Sequence, residues 1–299
     1  MGILSQSTKG VVKRKPIIMI YGPPKIGKTT LVSQMPKPTV IDADQGSENV
    51  NVDRDTVTTF DQIPNLLNQA VKSPFETIAI DTLDMVEMIL HSDICKDEGK
   101  KSIMECYGGY GKALPIILKD FYMPLQAQLR AIQAADKYVV LVCHDVVSKY
   151  KDPRTDNDYD KHRPKLNDSA SGSSVKFWLD FVDVCLFVNR KPLSIGDKGR
   201  VFDDGQVKAY TQGRAQFDAG SRYQIPFELP FDWPSIKAAL EGKERNEAQV
   251  RQAIIEAAAG LVEGDIKATF RKRFETAKSL SELLVIETNL KDILSTQGA

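Results

Sequence analysis

The sequence predicts an α/β fold: a mainly parallel central sheet flanked by helices, followed by a small C-terminal helical module. Three observations predict it. Short apolar runs of strand character recur between residues 16 and 188, amphipathic helical patterns lie between them, and the first run leads straight into a glycine-rich loop of the phosphate-cradling kind. Strands that alternate with helices build βαβ units, whose strands read as continuous apolar runs because both sheet faces are covered.

Residues 1–15 are polar, with four basic residues and no acid, and read as a flexible basic arm. They contain no 7-residue apolar core and so do not read as a secretory signal. The predicted strands are PIIMIYG (16–22), PTVID (38–42), ETIAID (76–81), KYVVLVC (137–143) and VDVCLFV (182–188). Between them, Thr29 to Gln34 is helical in pattern. Ile63, Leu66, Leu67, Ala70 and Val71 share one helical face, and Leu83, Val86, Ile89 and Leu90 another. A long helical stretch spans 113–136, with Pro115 near its start and Pro124 as a kink. After about residue 199, RVF (200–202) and VKAYT (207–211) flank Asp203-Asp204-Gly205, which reads as a hairpin turn. LPFDWP (229–234) then opens a short helix at 234–241.

From 244 onward the pattern is helical throughout. Val250, Ile254, Ala258 and Leu261 form one stripe and Ile266, Phe270 and Phe274 a second. Ser279 with Glu282 makes a capping box before Leu283, Leu284, Leu290 and Leu294. The expected organisation is therefore an arm (1–15), a core (16–243) and a helical module (244–299).

A length of 299 residues suits one sizeable α/β domain plus a small appendage. With 42% apolar and 27% charged residues the chain can bury a core and stay soluble. Forty basic residues balance forty acidic ones, so any polyanion must be met by a local patch. No apolar run approaches the length of a membrane span. Cys95, Cys106, Cys143 and Cys185 show no C-x-x-C spacing, and Cys143 and Cys185 read as core thiols, so a reducing cytoplasm is the expected setting.

Gly22-Pro23-Pro24-Lys25-Ile26-Gly27-Lys28-Thr29 is a full G-x-x-x-x-G-K-[ST] match. The spacing lets backbone N–H groups turn inward around a β-phosphate. Lys28 supplies a point charge to the β- and γ-phosphates, the Thr29 hydroxyl ligates Mg²⁺, and the helix from Thr30 points its positive end at them. The expected nucleotide contacts are thus Gly22, Pro24, Lys25, Ile26, Gly27, Lys28, Thr29 and Thr30, with ATP and Mg²⁺ as ligands. Asp81, at the end of a buried strand, is the second metal residue, although an acid there could also cap the following helix, a role Thr82 or Asp84 would serve equally well. The next residue is Thr82, so this strand offers no adjacent glutamate as a hydrolytic base. PTVIDADQGSEN (38–49) offers Asp42, Asp44 and Glu48, with Asp44 preferred. His144, at the tip of KYVVLVCHD (137–145), reads as a γ-phosphate sensor.

Taken in order, GPPKIGKTT, VIDADQG, TIAIDTLD and VVLVCHD resemble the RecA-like P-loop ATPase cores. The closer resemblance is to phage-encoded AAA-type nucleotide-binding proteins that act in recombination as single-strand annealing ATPases. It covers roughly residues 16–240. It implies a RecA-like P-loop NTPase fold and a catalytic carboxylate at Asp44, one methylene shorter than the family's glutamate, with Glu48 as fallback. It also implies the sensor at His144 and, from the segment DAGSRYQIP (218–226), Arg222 as a trans contact to a neighbouring subunit's ATP. In RecA-like proteins the loops corresponding to 96–112 and 145–176 face DNA. The second carries Lys149, Lys151, Arg154, Lys161, Arg163, Lys165 and Lys176 with Tyr150 and Tyr159 interleaved, cations for phosphates beside aromatics for base stacking. Asp152, Asp156, Asp158, Asp160 and Asp168 offset much of that charge, which leaves a solvated loop as the alternative.

The leading expectation is a DNA-stimulated ATPase that binds single-stranded DNA and promotes annealing or strand exchange as a ring or filament, in the host cytoplasm if phage-encoded. Its expected partners are DNA, its own copies and a single-strand binding protein, with no membrane. A helicase-loader-like switch acting on a protein partner is the alternative. A small-molecule kinase is the third reading, for which nothing marks an acceptor pocket.

Overall fold

A computed structural model describes residues 14–151, 158–195, 201–242 and 265–277, together with 251, 252, 254, 255, 258, 283, 286, 287 and 290. Its elements are β1 (Ile17–Gly22), α1 (Lys28–Ser33), β2 (Pro38–Asp42), β3 (Asp53–Thr56), α2 (Gln62–Ala70), β4 (Thr77–Asp81), α3 (Leu83–Asp97), α4 (Ala113–Ile116) and α5 (Met123–Ala134). There follow β5 (Tyr138–Lys151), β6 (Asp158–Pro164), β7 (Asp168–Ser169), β8 (Gly172–Ser173), α6 (Ser174–Phe181), β9 (Val184–Ile195), β10 (Val201–Tyr210), β11 (Gly220–Ser221), β12 (Glu228–Pro230) and α7 (Trp233–Leu240). The chain divides into two compact units, Met1–Trp233 and Pro234–Ala299, where the sequence pattern sets the boundary after residue 243.

The main sheet runs β12-β10-β9-β1-β5-β4-β2-β3. The six central strands from β9 to β3 are parallel, and β10 and β12 extend the sheet antiparallel. All five predicted strands form. Both faces of the sheet are covered, as a parallel sheet requires. Ile17, Met19, Ile78, Ile80, Val139 and Leu141 pack in one core with Leu67 of α2, Val86 and Leu90 of α3, and Leu129 and Ile132 of α5. The alternate residues Ile18, Ile20, Val40, Ala79, Val140 and Val142 are equally buried. Where the sequence suggests a kink, the backbone stays helical and runs as π-helical turns over Ile117–Tyr122, just before Pro124, whose missing N–H cannot close an ordinary turn. In the second unit, Ile254, Phe270, Ala277, Leu283, Ile286 and Leu290 form a core that uses the predicted stripes; Ser279 and Glu282 lie outside the described residues. Among the described residues no helix is long and apolar enough to cross a membrane.

Three expectations are corrected. Asp203-Asp204-Gly205 does not turn the chain: β10 runs through it, with a register shift against β9 between Asp203 and Val207, and Gly205 at φ +72° supplies the bulge. The described residues of segment 145–176 do not form one long loop. Strand β5 extends past His144 to Lys151 and pairs antiparallel with β6, from Asp145 opposite Pro164 to Lys151 opposite Asp158. The arm ends earlier than residue 15, since Arg14 donates to Asp183 at 3.2 Å and Lys15 lies 3.6 Å from Asp136. Strand β3, Asp-Arg-Asp-Thr, carries no apolar signal because it is an exposed edge strand.

Candidate functional site

Parallel pairing lines the C-terminal tips of the strands in one row. Gly22 is level with His144, and Asp42 is level with Asp81. At Gly22 a Cβ would meet the Val188 carbonyl oxygen at 2.2 Å, so glycine is required where β9 passes. Gly27, at φ +102°, turns the loop into α1. Lys28 is 6% exposed, and its Nζ donates to the carbonyls of Gly22 and Pro23 at 2.8 Å each. Burial lowers its pKa, against the opposing pull of Asp81. The Thr29 hydroxyl donates to Asp81 Oδ2 at 2.6 Å. Burial raises the Asp81 pKa; the Thr29 hydrogen bond opposes this and the neighbouring Asp42 charge adds to it.

Asp42 is buried beside Asp81. Its Oδ2 accepts from the Ser47 N–H at 3.2 Å and the Ser47 hydroxyl at 2.5 Å, while Oδ1 has no partner. The loop beyond is pinned by the Asp81 carbonyl, which accepts from Ala43 N at 2.8 Å and Asp44 N at 3.3 Å. Asp44 and Glu48 are both exposed, Glu48 on a short 3₁₀ turn.

Helix α3 follows Asp81 directly. Its N-cap is Thr82, which accepts from Met85 N. Asp84 therefore needs no capping role, and its carboxylate reaches across to β5. Oδ1 accepts from His144 N and Oδ2 bonds His144 Nδ1, each at 3.0 Å. Burial alone would raise the Asp84 pKa, but the bonds to His144 bring it below the ordinary value. The next residue along β5, Asp145, bonds His162 Nδ1 of β6 at 2.7 Å. Sequence reasoning missed both pairs; its only signal for Asp84 was an acid in the first turn of a helix.

The β5–β6 hairpin sorts the expected DNA residues onto two faces. Tyr150 opposes Tyr159 with ring centroids 5.6 Å apart, and Lys161 Nζ lies 4.8 Å from the Tyr150 ring. Arg163 falls on this same face by alternation. Lys161 is ion-paired with Asp218, and Arg163 with Asp218 and Asp168. Lys149 and Lys151 fall on the other face, exposed and opposite Asp160 and Asp158. Lys165 is exposed, and Arg154 lies outside the described residues. Segment 96–112 adjoins the chain beyond the hairpin: a Cβ on Gly111 would sit 2.9 Å from Ser171 Oγ, and Tyr110 beside it is 95% exposed.

Arg222 is not brought to the phosphate loop of its own chain. Its guanidinium donates to Asp183 Oδ1 at 2.9 Å and to the Asp180 carbonyl at 2.7 Å. Asp183 also accepts from Ile17 N, so this cluster sits at the N-terminal end of β1, the end away from Gly22.

The family comparison agrees with a P-loop core. A model of the AAA domain family matches residues 14–223. Among solved structures, the crystal structure of the RadB recombinase aligns at TM-score 0.38 and 14% identity, over 73% of this chain and 88% of that chain. No curated protein matches. With a parallel sheet, a complete phosphate loop and a family match over more than half its length, the chain belongs to the AAA domain family and carries a P-loop ATPase core.

Proposed function

We propose that the chain is an oligomeric ATPase of DNA recombination or annealing, in which ATP turnover drives contacts between the β5–β6 hairpin and single-stranded DNA. One observation carries the reading. Strand β5 passes His144 beside the phosphate loop and continues without a break into a hairpin bearing a cross-strand pair of tyrosines, their rings tilted 50° to one another, and cations. Lys28, already held at the mouth of the loop, exchanges its two carbonyl contacts for phosphate oxygens. Thr29 and Asp81 meet through oxygens alone, a hard donor pair that suits Mg²⁺, and these two would hold it. When bound, the cation neutralises phosphate charge. Asp44, exposed on a loop whose backbone is pinned to the metal strand, orients the attacking water and takes its proton. Asp84 fixes the His144 ring so that its other nitrogen faces the γ-phosphate. Arg222 acts in trans, from the far end of a neighbouring copy.

The test is ATP hydrolysis with and without single-stranded DNA. Stimulation is expected, and Asp44→Asn should bind ATP yet hydrolyse it about 10²- to 10⁴-fold more slowly. If Glu48→Gln is inactive while Asp44→Asn is active, the base is Glu48. Tight ATP binding with slow turnover that DNA does not change would favour a switch acting on a protein partner. The short, exposed Asp44 is the observation behind that second reading.

A further inference from the structure

Beyond its metal-side end, α3 carries a second buried acid with no part in the chemistry above. Glu87 is 6% exposed and lies one turn after Asp84. Its Oε2 accepts from Asn167 N at 2.7 Å, and its Oε1 accepts from the Tyr122 hydroxyl at 3.2 Å. Asn167 lies three residues past the end of β6 and is tied onward through its side chain to the Gly172 carbonyl at 2.6 Å. Asp84 holds the outgoing foot of the hairpin at His144, and Glu87 holds the returning foot. The two feet are joined by Lys165 N donating to the His144 carbonyl at 2.9 Å.

We propose that Glu87 is a positioning residue. With Asp84, it makes α3 the element that transmits occupancy of the phosphate site to both feet of the hairpin. The helix starts two residues after Asp81, so a shift at the Thr29–Asp81 pair moves the helix as a unit. A helix is stiff along its axis, and two clamps one turn apart move together. Burying a carboxylate costs several kcal/mol unless it accepts strong hydrogen bonds. Here it accepts them from one backbone N–H of the segment to be moved and one buried phenol, and ionised acceptors bind roughly twice as strongly as neutral ones. The inference rests on the nucleotide-site reading, but not on what the hairpin binds.

Amide hydrogen exchange tests it on the full chain, with and without Mg²⁺ and a non-hydrolysable ATP analogue whose binding is measured in parallel. In the wild type, the analogue should change exchange at both feet, around His144–Asp145 and around Lys165–Asn167, by about 5- to 150-fold, the range of ordinary site-to-site coupling. Glu87→Ala should keep the response at His144–Asp145 and lose it at Lys165–Asn167. Glu87→Gln keeps the volume and an acceptor, covers the case in which the alanine variant does not fold, and should shrink the Asn167 response alone. Tyr122→Phe, which removes the other partner of Glu87, should leave both responses. An Asn167 response that survives both Glu87 variants overturns the proposal. So does a wild type that binds the analogue with no response at Asn167. A wild type that fails to bind the analogue instead removes the nucleotide-site reading itself.

Discussion

Replacing Lys28 with alanine gives the sharpest test of the nucleotide site. In the structure its ammonium makes two charge-assisted bonds, to the carbonyls of Gly22 and Pro23. On nucleotide binding the same donors turn to phosphate oxygens. The exchange trades two bonds of the ammonium for two others, so what ATP gains from Lys28 is the attraction between unlike charges that neutral carbonyls lack, about 4 kcal/mol at 4 Å near a protein surface. Removing it should weaken ATP binding by up to about 4 kcal/mol, or roughly 700-fold. The fold should survive, because both carbonyls lie at the loop, away from the core of β1. Isothermal titration with ATP and Mg²⁺ gives the affinity, and a thermal melt confirms the fold. A well-folded Lys28→Ala protein with wild-type affinity would refute the assignment of the loop and every role built on it.

The geometry makes four further predictions. On the tyrosine face of the hairpin, Tyr150→Ala should weaken single-stranded DNA binding by about 1–3 kcal/mol. Lys149→Ala with Lys151→Ala should instead flatten the salt dependence by about 0.7 for each phosphate no longer neutralised, and salt-independent binding would count against the interface. If Arg222 acts in trans, ATPase rate per subunit should climb with protein concentration, and Arg222→Ala mixed with Lys28→Ala should regain activity that neither has alone; a concentration-independent rate would rule this out. Asp183 is buried, and it accepts from Ile17 N and from Gln133 while facing Arg14, Arg130 and Arg222. Asp183→Ala should cost about 3–5 kcal/mol of stability at neutral pH, measured by denaturant melts. Although burial opposes it, these partners hold the Asp183 pKa below its ordinary value. Its contribution is therefore fully present above about pH 4, the ordinary aspartate pKa, and fades as pH falls through the folded value, a loss the variant should not show.

The sequence by itself determined five of the six parallel strands and the phosphate loop, because each is written in consecutive residues; the sixth, the exposed edge strand β3, carries no apolar run. Five apolar runs became β1, β2, β4, β5 and β9, and Gly22 to Thr29 carries its chemistry in its own spacing. Pro124 marked an irregularity in the long helix for the same local reason, though as a kink and not as the π-helical turns that precede it. Tertiary structure decided the rest through strand order. Placing β5 between β1 and β4 sets His144 beside Asp84, sixty residues away along the chain, and turns an apparent cap into a clamp. The strand period decided that Tyr150 and Lys149, neighbours in sequence, face opposite ways, which no count of charges in the segment could show. In sequence Arg222 reads as reaching outward, yet the fold ties it to Asp183, because a buried carboxylate draws in every cation within reach. Periodicity and motif spacing report what a residue is next to along the chain; which strand lies beside which depends on the closing of the whole sheet, and that decides which charges meet.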